Sequence, residues 1–460
     1  MAFSSLNFIF IFLPIFLAVY FTVNKKYKKT ILLVGSIIFY LIGTWKKPEY
    51  LLLLFFSIII NFILANLIEK YKKESKLILT VGIIFNINLL FIYKYFDFFI
   101  SIINKNFNTG INELNLILPI GISFYTFELI SYIVDVYNKK IKAEKSIFKL
   151  FSYIFMFPQL ISGPIVTYKE IKNQLEKKQI NIENIILGIK YFILGLSFKV
   201  IIADRIGILW NDIFMLGIDS ISSILAWLGI ISYTIQIYLD FQGYSLMAVG
   251  LGKIIGIELP DNFDAPYLAT SMSDFFRRWH ISLGRWFKNY IYIPLGGNRK
   301  GKIKMIVNII IVWVTTGLWH GASYNYILWG IFVGIIIVIE KLFLERYLNK
   351  SKLIGHIYMF LLIPIMWAIF SIKDLSTLSL FIKKLFSFEE GLIRLDYLKY
   401  IKTYGYLILT GLLLCTKLAE KSLLKKKTKI LQIIILLGLF WISIDYLYKG
   451  LNNSFIYFDF

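Results

Sequence analysis

Across 460 residues the chain carries one cysteine, Cys415, and three histidines. A lone cysteine excludes a disulfide within the chain and any cysteine-based metal site; beside the apolar run Leu407–Leu414 it reads as a small packing residue. Charge is scarce too. Only 17% of residues are charged against 58% hydrophobic, a balance too apolar for a soluble protein of this length. Acidic residues are the rarer sign, 28 against 50 Lys and Arg, for a net charge of +22. Such an excess would suit nucleic acid, but the basic residues cluster between apolar runs, at Lys25–Lys29, Lys70–Lys76, Lys139–Lys145 and Lys425–Lys429. The positive-inside rule and anionic lipid produce that distribution, so membrane lipid is the expected partner and nucleic acid is not. No Pro/Gly/Ser linker and no internal repeat divides the chain, so one transmembrane domain over residues 1–460 is expected.

What is present is a series of apolar runs, from Leu6–Val23 through Leu114–Val136 and Phe148–Val166 to Ile430–Leu447. The shorter ones read as interfacial or re-entrant, which leaves about 11 true crossings. Leu6–Val23 follows an uncharged start and precedes lysines, the inverse of a secretory signal peptide. It reads as a retained first span with its N-terminus outside. Counting crossings then puts the first three basic clusters on the cytoplasmic side. Pro119, Pro158 and Pro164 interrupt the middle of the sequence. Non-helical backbone at membrane depth needs protein or a water-filled cavity around it, which suggests a central chamber built from Leu114–Val166 and Ile221–Ile339. Asp135 is expected to pair with the neighbouring basic loop, Asp204-Arg205, following Lys199, to end a span with local ion pairs, and Asp240 to be a buried acceptor or a span terminus.

Two of the three histidines fall in Ser273–Gly321. At about 100° per residue, Phe275, Phe276, Trp279, Leu283, Trp286, Phe287 and Tyr290 share one helical face, with Arg277, Arg278, Arg285 and Lys288 opposite. That pattern predicts one amphipathic helix over Asp274–Tyr290, lying in the cytoplasmic interface. His280 projects from the border of the two faces; on spacing alone an ordinary interfacial histidine is an equal reading. His320 lies inside Met305–Ile339, a run without Asp, Glu, Lys or Arg that is too long for one span. Two spans must meet at Gly317 or at Gly321-Ala322-Ser323, with His320 at membrane depth beside the break. Ionisable groups there usually face a cavity or a partner, although a structural histidine bonding across helices is the alternative. Gly296–Lys302 reads as a tight turn carrying charge, or as a phosphate cradle.

Asp-Phe-Phe-Arg-Arg-Trp-His-Ile-Ser-Leu (Asp274–Leu283), Tyr-Ile-Pro-Leu-Gly-Gly-Asn-Arg (Tyr292–Arg299) and Gly-Leu-Trp-His-Gly (Gly317–Gly321) together resemble the membrane-bound O-acyltransferase family, in its alginate O-acetyltransferase membrane-subunit branch. The resemblance continues upstream in Gly121–Phe127, Phe157–Val166, Phe198–Asp204 and Gln236–Ser245. It spans roughly 6–342, with a motif-bearing core at roughly 114–342. Leu246 departs from it, standing where the family usually has an acidic residue. The resemblance implies an all-α polytopic membrane fold, with about 11 transmembrane helices plus interfacial and re-entrant helices around a central chamber. It also implies acetyl transfer from a cytoplasmic donor, acetyl-CoA, with no cofactor held, through the membrane to an extracytoplasmic acyltransferase partner in an exported-polysaccharide pathway of the cell membrane. It places the catalytic roles on His320 and His280, and substrate or donor binding on Asp274, Arg277, Arg278, Trp279, Trp319, Tyr244 and Asn298.

Such a transfer needs a base for the hydroxyl proton, and a neutral buried imidazole can accept one. Positioned general-base catalysis is worth about 10²–10⁴-fold. No Ser-His-Asp arrangement and no metal-ligand spacing competes for the role. The alternatives are D-alanyl transfer to teichoic acid by the sister branch, which the Tyr292–Arg299 stretch disfavours, and a non-enzymatic polysaccharide transporter. A transporter would be expected to show repeats and intramembrane carboxylates.

Overall fold

The computed structural model describes residues 1–176, 180–348, 350–425 and 429–456; part of the basic run Lys425–Lys429 lies outside them. Most of those residues are helical, with no strand among them. Eight of the helices are long and apolar enough to cross a membrane: Glu49–Lys70, Ser75–Lys94, Ile182–Leu216, Ser223–Ile254, Lys302–His320, Tyr324–Leu348, Lys352–Ser371 and Ile430–Tyr448. Several keep most of their apolar surface outward. Ser75–Lys94 has a mean hydropathy of 1.9 with only 17% of the window buried, a face that requires lipid. Leu6–Val23 forms a shorter apolar helix, Phe8–Thr22.

The chain divides into two compact units, residues 1–189 with 248–260, and residues 190–247 with 261–460. In the first, two expected spans do not form. Over Leu114–Val136 only Ile122–Tyr137 is helical, and residues 108–119 have no regular structure. Pro119 cannot donate to a helix, and the irregular backbone takes its bonds from side chains. Asp97 accepts from the Leu114 and Asn115 N–H groups at 2.7 and 2.9 Å. The Tyr50 and Tyr40 hydroxyls donate to the Ile117 and Ile120 carbonyls. Phe148–Val166 is likewise two short helices, Ile147–Ile154 and Phe157–Leu160. Phe157, fully buried, stands edge-on to Phe12 and Phe16, while its N–H reaches Ser36 Oγ at 3.2 Å. Asp135 pairs with Lys140 at 3.0 Å, as its place beside the basic loop suggested.

In the second unit the helix runs on through Asp204, within Ile182–Leu216, and the expected local ion pair with Lys199 is present. Its carboxylate bonds Lys199 at 2.5 Å, and Asp240 pairs with the same ammonium at 2.7 Å, all three side chains at most 2% exposed. Two carboxylates on one lysine explain how the run continues through charged residues, since a buried ion persists only when paired. Asp240 is thus a buried acceptor, and it also receives the Ile456 N–H at 2.8 Å.

The long uncharged run forms two helices, Lys302–His320 and Tyr324–Ile339, with the break at residues 321–323. Close crossing is made possible by Gly317 and Gly330. A Cβ at Gly330 would run into the Trp313 carbonyl, and one at Gly317 into the Tyr326 carbonyl. Backbone rather than a flexible side chain opposes each, so neither clash can be relieved by a rotamer change. Small residues at such crossings let packed helices approach in lipid. Gly330→Leu is therefore expected to force these helices apart and destabilise the fold by about 1–3 kcal/mol or more, read as a lowered unfolding midpoint of the purified protein in detergent. An unchanged midpoint would contradict the tight crossing.

Candidate active site

The predicted single helix over Asp274–Tyr290 is broken. Met272–Arg278 and Ile281–Phe287 are separate helices, followed by a π-helical turn, Lys288–Tyr292. Between them Trp279 is extended (φ −98°, ψ 127°) and His280 is left-handed (φ 45°, ψ 54°). A left-handed non-glycine residue costs on the order of 1–3 kcal/mol and persists only where its surroundings impose it. Here a second strand of chain does so. The Ile281 N–H donates to the Asn262 carbonyl at 2.9 Å, and the Asp264 N–H donates to the Arg278 carbonyl at 2.9 Å. Helix periodicity still named the right apolar residues, for Phe275, Trp279, Leu283, Trp286 and Phe287 are all buried.

The first half-helix has two anchors. Ser271 Oγ accepts from the Asp274 N–H at 3.0 Å, a normal N-cap. A second acceptor comes from far along the chain. Glu340, buried, takes the Met272 N–H at 2.5 Å, the Ser273 N–H at 2.9 Å and Ser273 Oγ at 2.8 Å. A carboxylate on the first N–H groups of a helix is favoured by both hydrogen bonding and the helix dipole. Glu340 thereby ties this half-helix to the Tyr324–Leu348 span.

Both histidines line one cavity of about 750 Å³, within the size range of small-molecule sites, about 300–1,000 Å³. Its lining comes from residues 271–348, with none from the stretch 114–166 expected to share a chamber. Trp313, Thr316 and Trp329 line it with His320, and its charged lining is Arg277, Arg285, Lys288 and Lys341 with Glu340 and Glu345. His320, the last residue of its helix, is 5% exposed and stands edge-on to Trp319, Trp329 and Phe370 at 5.0, 5.1 and 5.1 Å between ring centroids. His280, 2% exposed, meets Phe241 edge-on at 4.7 Å, and its Nδ1 lies 3.2 Å from Asn262 Oδ1. Burial pushes the His280 imidazole down to about 3, so at neutral pH the ring is uncharged and offers one lone pair.

Of the other residues expected to bind substrate or donor, Arg277 and Trp279 line the cavity. The rest stand outside the lining. Asp274 is occupied by Arg277 at 3.4 Å and Arg278 at 3.0 Å, because all three lie on one short helix. Trp319 is edge-on to both imidazoles, at 6.1 Å from His280 and 5.0 Å from His320. Tyr244 is buried and stacked on Phe455 at 4.5 Å. Asn298 is exposed on the turn after Tyr292, where Asn308 instead holds the Gly297 carbonyl at 2.8 Å. Sequence reasoning missed Asn262 and Glu340. Glu340 had a signal, as the first carboxylate after the uncharged run; Asn262 had none, since its partners lie some 20 residues on.

The sequence profile of MBOAT, the membrane-bound O-acyltransferase family, matches residues 37–372. A probable alginate O-acetylase AlgI of Pseudomonas putida is 35% identical over 400 residues, covering 85% of this chain and 81% of its own length. A peptidoglycan O-acetyltransferase of Helicobacter pylori is 35% identical over 413 residues, covering 82% and 78%. A teichoic acid D-alanyltransferase of Bacillus subtilis is 30% identical over 251 residues, covering 52% and 62%. The chain belongs to the membrane-bound O-acyltransferase family and is a multi-pass membrane O-acyltransferase.

Proposed function

We propose that the protein takes an acetyl group from acetyl-CoA on the cytoplasmic side and passes it through the membrane to an extracytoplasmic acyltransferase partner, which O-acetylates an exported polysaccharide. The observation that carries this reading is the pair of buried histidines on one cavity whose lining also holds Arg277, Arg285 and Lys288. His320 acts as the base. It takes the proton of the acceptor hydroxyl as the oxygen attacks the thioester carbonyl, and the thiolate leaves. The surrounding indoles and Phe370 exclude water, which limits hydrolysis of the acyl donor. His280 supports the same centre. Arg277 and Trp279, joined by Arg285 and Lys288, take the anionic part of the donor, with Asp274 and Arg278 orienting Arg277. Trp319 spaces the two imidazoles, and Tyr244 and Asn298 act at a distance from the cavity. The chain works as a single domain in the cell membrane, its N-terminus outside. The P. putida and H. pylori relatives support acetyl over D-alanyl transfer, because each is 35% identical over more than four-fifths of the chain, whereas teichoic acid D-alanyltransferases are 30% identical over 52% of it or 25% identical over 75%.

The topology is tested by cysteine accessibility. Arg277→Cys and Lys288→Cys are expected to label from the cytoplasmic side; strong labelling only from outside would reverse the orientation. The chemistry is tested by acetyl content of the exported polymer per unit of membrane-inserted protein. His320→Ala is expected to abolish it, a loss of at least about 10²-fold, while insertion stays normal. His280→Ala is expected to give a partial loss. Near-normal acetylation by His320→Ala on that ratio would refute the assignment of the base.

A further inference from the structure

We propose that Asn262 is a positioning residue for acyl transfer: its amide oxygen holds His280 as the Nδ1–H tautomer, leaving the lone pair on Nε2, while its backbone carbonyl holds the left-handed turn. This rests on the reading of the cavity as the transfer site.

The argument begins with the identity of the Asn262 atom that faces the ring. Side-chain oxygen and nitrogen of an amide are told apart by their partners, and here one partner has no choice of role. The Ser282 backbone N–H can only donate, and it points to Oδ1 at 3.1 Å. Ser282 Oγ donates to the same atom at 2.9 Å. The atom is therefore an acceptor, and His280 Nδ1, 3.2 Å away, must carry a proton to face it. A neutral imidazole has one N–H, so its lone pair lies on Nε2.

Burial keeps the ring neutral, so the assignment applies at neutral pH. The same residue sets the backbone, through the 2.9 Å bond from the Ile281 N–H to its carbonyl. In an uninterrupted helix that N–H would bond to the Arg277 carbonyl, and His280 would project elsewhere. Asn262 is 1% exposed and outside the cavity lining, so it acts through His280 rather than on substrate. An Nε2 lone pair accepts a hydrogen bond from a hydroxyl; the other tautomer could only donate at that atom.

The chain has three histidines, which makes the tautomer directly readable. In protein labelled with ¹⁵N-histidine and held in lipid nanodiscs, the imidazole signals are assigned by loss in His320→Gln and His356→Gln. His280 is expected to show the Nδ1–H pattern in the unaltered protein and to lose it in Asn262→Ala. Asn262→Asp keeps an oxygen toward Ser282 and is expected to retain it. With acetyl-CoA as donor in proteoliposomes, Asn262→Ala is expected to lower kcat by about 10-fold or more, as for other residues that fix a histidine tautomer, with the donor KM within about 2-fold. An Nε2–H pattern in the unaltered protein overturns the proposal. So does Asn262→Ala with kcat and tautomer unchanged, or Asn262→Asp with the Nδ1–H pattern lost although the protein is folded. The tautomer is read without substrate, so failure of the transfer reading, seen as full acetylation by His320→Ala, would leave this result separately legible.

Discussion

The buried departures from helix among the described residues share one requirement: surroundings of lipid and aromatic side chains offer no water to a free N–H or C=O, so each such interruption must bring its own partner. The Ile281 N–H is met by the Asn262 carbonyl. The first N–H groups of Met272–Arg278 are met by Glu340, the Gly297 carbonyl by Asn308, and the Phe370 carbonyl by Asn325 at 2.6 Å. In the first unit Ser36, Tyr40, Tyr50 and Asp97 serve the same end. A buried amide or carbonyl left unmet costs about 1–3 kcal/mol. The breaks are therefore places where distant parts of the chain are committed to one another.

That requirement also decides what could be read from the sequence. Spans are local matters of length and apolarity, so Lys302–His320 and Tyr324–Ile339 lie within a few residues of their expected limits, and the break falls at one of the two positions expected. The burial of His320 followed from the same local facts. The break at His280 did not, because its cause lies at Asn262 in a different segment, and a helical wheel holds no information about a competing acceptor. The apolar face was nevertheless chosen correctly, since two half-helices turned about one residue still bury the large rings. Phe148–Val166 was legible in a different way: it is apolar enough to span, but Pro158 and Pro164, read from the sequence as interruptions, leave only short helices. Motif resemblance carried the family across this gap, but it could not say that Asp274, Tyr244 and Asn298 would lie outside the cavity lining while Arg285 and Lys288 would be in it.

The two histidines receive different support. His320 sits at a helix end among rings, where exclusion of water dominates its chemistry. His280 sits at a turn held by hydrogen bonds, where orientation dominates. An acyl donor is vulnerable both to water and to misalignment with its acceptor. Under the proposed function, one imidazole in each kind of surroundings, with Trp319 edge-on to both, would answer the two hazards with separate parts of the structure.

Glu340 has a consequence for how the protein is made. The half-helix it anchors precedes it by 68 residues, so Met272–Arg278 leaves the ribosome well before its acceptor has been synthesised. Two further membrane helices, Lys302–His320 and Tyr324–Ile339, must be delivered in between. Until then the Met272 and Ser273 N–H groups have only water or lipid headgroups to bond, both of which are found at the membrane surface and not within it. The bonds between Glu340 and this half-helix can therefore form only once the later span has been synthesised.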